Sequence, residues 1–143
     1  MPDFEEKALC RKAGGILELS AKKGYEPIAF TKLWLRSKTA QNLYEWDFHD
    51  VAQSKQYLFR SVEMEYELKP EDRCQEGGQW TDEMYWGGYT FMYLSFEMRL
   101  KPKDILKIYD IERILKCYDT LHTLSEKAAV EEIKTQFLYQ ASC

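Results

Sequence analysis

Seven aromatic side chains fall within seventeen residues, from Trp80 to Phe96, in the stretch WTDEMYWGGYTFMYLSF. At about 100° per residue, Tyr85, Met92, Phe96, Tyr89, Leu100, Tyr93 and Trp86 share one broad helix face. Met84, Phe91 and Met98 form a second apolar patch, and Glu83, Glu97 and Arg99 fill only narrow slots between the two. A helix apolar on two sides belongs between neighbours, so the run predicts the central helix of a bundle. Gly87 and Gly88 carry no Cβ, so another helix can approach the backbone there. A second reading stands beside the core one. Tyrosine and tryptophan tips need polar partners when buried, and a row of them can also line a cavity. The core reading is preferred.

The rest of the chain reads as further helices. Pro2 and Asp3 start one that runs to Gly24, with Gly14 and Gly15 marking a kink or a close helix crossing. Each glycine costs that helix about 1 kcal/mol relative to alanine, so a packing reason is expected. Pro27 opens a second segment, Ser37 breaks it, and a short helical turn follows over 39–45. The stretch WDFHD (46–50) reads as a connection in which either aspartate can cap what comes next. A helix from Val51 ends before Pro70, and residues 69–80 read as a mobile acidic loop. Thr81 is the expected N-cap of the aromatic helix. Pro102 suits the first position of one interrupted helix or two short ones. After a break at 118–124, Ser125 starts a terminal helix with Val130, Ile133, Phe137 and Leu138 facing inward. No segment alternates as a half-buried strand would. At 143 residues the chain is of single-domain size. The expectation is all-α: one domain over 1–143, a compact bundle of about six helices around the aromatic one.

Charge and cysteine usage narrow the function. The net charge is −4. Residues 39–100 carry five basic against twelve acidic side chains, concentrated at 63–83. Such a stretch repels nucleic acid, and stacking platforms for bases pair their aromatics with a basic groove. No apolar run is long enough to span a bilayer and no apolar leader is visible, so no membrane association and a cytoplasmic location are expected. Cys10, Cys74, Cys117 and Cys143 have no CxxC spacing and read as free thiols. Neither a metal site nor a cofactor is implied, because the glycine pairs match no phosphate-binding motif and no Glu-x-x-His occurs.

No catalytic residue is assigned. Asp47, His49 and Asp50 crowd one short loop without forming a nucleophile, base and orienter. His122 sits among Tyr118, Asp119, Thr120 and Thr123, where Asp119 could orient it as a base; a structural role is preferred.

WGGYTFMYLSF (86–96), KDILKIY (103–109) and YDTLHTLSEKAAVEEI (118–133) resemble a set of small uncharacterised bacterial proteins. These share an aromatic G-Y-x-Y helix, an H-T-L segment and a terminal A-x-E-x-I helix, and the resemblance covers about residues 28–135. This chain departs from the pattern at Phe91 and Leu94. The resemblance implies a non-enzymatic companion protein of toxin–antitoxin-like gene clusters, whose partner is another protein. Two readings follow. The first is a protein-binding or regulatory module that docks through the acidic stretch at Glu65, Glu67 and Glu71. The alternative is a small-molecule-binding or enzymatic domain with a tyrosine-lined pocket formed by Tyr85, Tyr89, Tyr93 and His122. A homodimer is compatible with the surplus of aromatic surface.

Overall fold

The Asp3 side chain accepts the Glu6 backbone N–H at 2.8 Å while Glu6 accepts that of Asp3 at 3.0 Å. This capping box starts helix α1 (Phe4–Lys22), and Gly24, at φ 90°, turns the chain away from its end. The computed structural model describes residues 2–73, 78 and 80–139. Within them the protein is all-α.

Helix α2 (Pro27–Arg36) has proline in its first turn, and Ser37 both ends it and caps α3 (Lys38–Tyr44). Asp47 caps the single turn α4 (Phe48–Val51), whose far end receives a 2.7 Å hydrogen bond from the Lys12 ammonium to the Val51 carbonyl. Ser54 caps α5 (Lys55–Glu65). Then come α6 (Thr81–Met98), α7 (Pro102–Ile108), α8 (Ile111–Lys116), α9 (Tyr118–Leu121) and α10 (Glu126–Gln136). The described residues thus hold ten helices where the sequence reading expected about six. The surplus comes from α4 and α9, each a single turn too short to show periodicity, and from the break at Tyr109 between α7 and α8.

Two local expectations need correction. Thr81 does not cap α6; the N-cap is Trp80, in the left-handed region at φ 62°, and the Thr81 hydroxyl donates to the Gly78 carbonyl at 2.7 Å. Leu138 faces outward, 45% exposed, because it pairs with Tyr109 in an isolated antiparallel bridge instead of continuing α10. The acidic loop opens as a 3-10 turn, Pro70–Asp72, and Arg73 is tied back to α5 by Glu63. Residues 74–77 and 79 of the expected mobile segment, including Cys74 and Glu76, lie outside the described residues, as does Cys143.

The two longest helices, α1 and α6, form the centre and cross backbone to backbone. A Cβ on Gly88 would stand 2.6 Å from the Ala13 carbonyl oxygen and 2.9 Å from the Gly14 Cα. A Cβ on Gly14 would stand 2.8 Å from the Tyr85 carbonyl oxygen. Both glycine pairs flagged in the sequence therefore belong to close packing, and Gly14 and Gly88 serve the same contact. Around this crossing, Trp34, Phe30, Phe91, Ile16, Leu17 and Leu58 are fully buried. No helix among the described residues is long and apolar enough to cross a membrane.

Candidate functional site

Helix α6 has two different sides. Met84, Gly87, Gly88, Phe91 and Leu94 are buried against the bundle. Asp82, Tyr85, Trp86, Tyr89 and Tyr93 succeed one another at helical spacing along the other side. This second row packs on the core, with Tyr93 buried in it, and also forms one wall of an open groove of about 600 Å³. Of the smaller patch, Met84 and Phe91 are fully buried and Met98 is exposed; Met92 and Phe96 of the broad face are buried as well.

Helix α1 supplies the facing wall through Arg11 and Glu18, one turn to either side of Gly14. Gly14 also seats Tyr85, since a Cβ there would lie 3.1 Å from two carbons of the Tyr85 ring. The far end is built from Tyr118, His122, Leu124, Glu126 and Val130, where α9 turns into α10. Tyr118 meets Trp86 edge-on at 5.7 Å between ring centroids, and His122 stacks flat on Tyr118 at 4.2 Å. Tyr89 and Tyr93 lie 6.4 Å apart. The structure thus brings Tyr85, Tyr89, Tyr93 and His122 to a single groove.

The polar groups in this groove are unevenly satisfied. Tyr93 is 1% exposed and its hydroxyl has no hydrogen-bond partner among the described residues. Trp34 Nε1, Arg73 Nε and Ser95 Oγ share that condition, but of the four residues only Tyr93 lines the groove. Arg11 has no carboxylate within ion-pair distance among the described residues. Burial raises the phenol pKa of Tyr85, Tyr89 and Tyr93, and the Glu126 carboxylate adds to the effect on each. All three therefore stay protonated near neutral pH and can donate.

The histidine is oriented by the backbone, not by Asp119. Its Nδ1 lies 2.7 Å from the Tyr118 carbonyl oxygen, which only accepts, so this nitrogen carries the proton and Nε2 is left as the acceptor. Cys10 is fully buried, and burial followed by the charges of Glu126 and Glu6 pushes its thiol up to about 12. It offers no thiolate. Cys10 and Cys117 are free.

The other candidate positions lie elsewhere. Glu65, Glu67 and Glu71 are exposed at the end of α5 and in the turn beyond it. They are not a uniform acidic face. Glu65 accepts the Lys38 backbone N–H at 3.0 Å and so finishes the start of α3. Glu63 points inward, 4% exposed, and accepts from Tyr25 at 2.6 Å and Arg73 at 2.8 Å. Asp47, His49 and Asp50 place one ligand atom each within 4.8 Å of one another. Their oxygens are engaged: Asp47 caps the Asp50 N–H at 3.1 Å, while Asp50 binds Asn42 at 2.8 Å and His49 at 3.0 Å.

Sequence reasoning did not assign Arg11, Glu18, Asp82, Trp86, Tyr118 or Glu126 to a site. Its available signals were the i, i+7 spacing of Arg11 and Glu18 about a glycine and the i, i+4 pair Tyr118 and His122. Neither says which helices face each other. No protein-family model, curated protein or solved structure matches this chain.

Proposed function

We propose that this protein is a small-molecule-binding domain whose ligand occupies the groove between α1, α6 and the α9–α10 corner. One observation carries the reading: walls from three separate parts of the chain, aromatic on α6 and α9, converge on a space of ligand size, and the buried Tyr93 hydroxyl has no partner among the described residues. Pockets that hold small ligands typically enclose about 300–1,000 Å³ and combine apolar walls with a few oriented polar groups. A structural tyrosine buried to this degree normally finds a partner within the protein. The docking reading has less support, because Glu63 and Glu65 of the acidic stretch already serve internal contacts. Binding without chemistry fits the groove best, since its lining includes no cysteine, serine or lysine to serve as a nucleophile.

The test is a fragment screen followed on the Trp86 indole N–H resonance. Hits are expected to shift that resonance, and to lose their effect in Leu124→Trp, which puts bulk into the groove from a half-exposed position. A screen with no hit at Trp86, or hits indifferent to Leu124→Trp, would overturn the reading.

A further inference from the structure

We infer that the ligand of this groove is a small organic ammonium ion, an inference that rests on the binding reading above. The walls combine the two features that favour such a cation. Tyr85, Trp86, Tyr89 and Tyr118 supply aromatic rings, whose faces attract a positive charge through the ring quadrupole. Glu18, Asp82 and Glu126 supply three carboxylates against the single guanidinium of Arg11, so the lining carries a surplus of negative charge.

That surplus is only weakly compensated from outside. Glu18 lies 3.7 Å from Lys22 and Glu126 lies 3.9 Å from Lys7, both loose pairs, and Asp82 has no ion-pair partner among the described residues. An anionic ligand would meet repulsion at three points and attraction at one. A neutral apolar ligand would remove water from three carboxylates and return nothing to them. An ammonium satisfies the carboxylates and rests on the rings. The same negative potential is felt by the wall tyrosines, each of which has Glu126 among the causes holding its phenol protonated.

The experiment compares three probes of one size and shape: phenethylammonium, phenethyl alcohol and phenylacetate, each titrated while the Trp86 indole resonance is followed. The cation is expected to bind at least about tenfold more tightly than the alcohol, and phenylacetate to bind weakest. In Asp82→Asn combined with Glu126→Gln, the advantage of the cation should shrink several-fold while the affinity of the alcohol holds. Choline in place of phenethylammonium distinguishes a quaternary from a primary ammonium, and a preference for either supports the inference. Equal affinity for cation and alcohol, tighter binding of phenylacetate, or no response to any cation while screened fragments still bind would overturn the ammonium assignment and leave the binding site standing. Failure of probes and fragments alike would remove both.

Discussion

Tyrosine, glutamate and arginine meet twice in this protein, and the two meetings are finished differently. At the end of α5, Tyr25 and Arg73 both bind the Glu63 carboxylate, Arg60 reaches its other oxygen at 3.4 Å, and the Arg73 guanidinium lies 5.4 Å above the Tyr25 ring. The carboxylate is nearly enclosed and fully engaged. In the groove, Tyr89, Glu126 and Arg11 line one space from different elements, yet the Glu126 side chain is 51% exposed and the Tyr93 hydroxyl is unpaired among the described residues. The same residue types make a closed clamp in one place and an open, unfinished surface in the other. Composition does not separate the two clusters; enclosure of the carboxylate does, with the Glu63 side chain 5% exposed against 51% for Glu126.

The largest expected difference between the two lies in their glutamates. Glu63→Ala leaves Arg73 and Tyr25 without their acceptor and should cost about 3 kcal/mol in chemical denaturation. Glu126→Ala, at a half-exposed position, should stay within about 0.5 kcal/mol of the parent. Equal costs would erase the distinction. The clamp also has a pH signature. Burial alone would raise the Glu63 carboxyl, but the hydrogen bonds from Tyr25 and Arg73 and the Arg73 charge outweigh it and hold its pKa below the ordinary 4.5. A carboxyl lowered on folding stabilises the protein fully above its unfolded value, and that contribution is lost as pH falls through the folded one. The melting-temperature gap between wild type and Glu63→Gln should therefore be flat above about pH 5.5 and close on acidification. A gap that widens in acid would contradict the assignment.

A smaller effect tests the crossing on which the groove is built. Gly88→Ala drives a methyl into the Ala13 carbonyl, 2.6 Å away, and should cost about 2 kcal/mol after the helix-propensity gain. Gly15→Ala meets only the Lys55 side chain, at 2.7 Å from its Cδ. That flexible chain can swing aside, so stability should hold or rise by up to about 1 kcal/mol. Similar outcomes in urea denaturation for the two would mean the helices are not in backbone contact at Gly88.

The smallest effects differ in sign. Tyr25→Phe removes a hydrogen bond to a buried carboxylate and should destabilise by about 1.5 kcal/mol. Tyr93→Phe removes an unpaired buried hydroxyl, so the ligand-free protein should gain about 1 kcal/mol in the same assay. A loss at Tyr93 would reveal a partner for its hydroxyl within the protein and close the comparison.

Much of this fold was legible locally because its signals act within a turn or two of helix. Asp3, Ser37, Ser54 and Ser125 each accept the backbone N–H three residues on, an interaction that needs no knowledge of the rest of the chain. Pro27 and Pro102 mark helix starts for an equally local reason, their missing N–H. Trp80 was illegible, because a left-handed tryptophan at a helix start is imposed by the surrounding chain against its own preference. Leu138 was misread since the bridge to Tyr109 joins residues 29 positions apart.

The candidate site divides along the same line. Tyr85, Tyr89, Tyr93 and His122 stood out one by one, and helical spacing places the first three on one face of α6 whatever surrounds it. By itself the sequence determined an all-α chain with an aromatic helix at its centre, because capping, periodicity and glycine placement are properties of neighbouring residues. Only the tertiary structure decided that Tyr85, Trp86 and Tyr89 would line an open groove while Met84, Phe91, Met92 and Phe96 went into the core. The reason is the Gly14–Gly88 contact: it presses one side of α6 against α1 and sets Arg11, Glu18 and the α9–α10 corner around the other, a choice made by helices far apart in the chain.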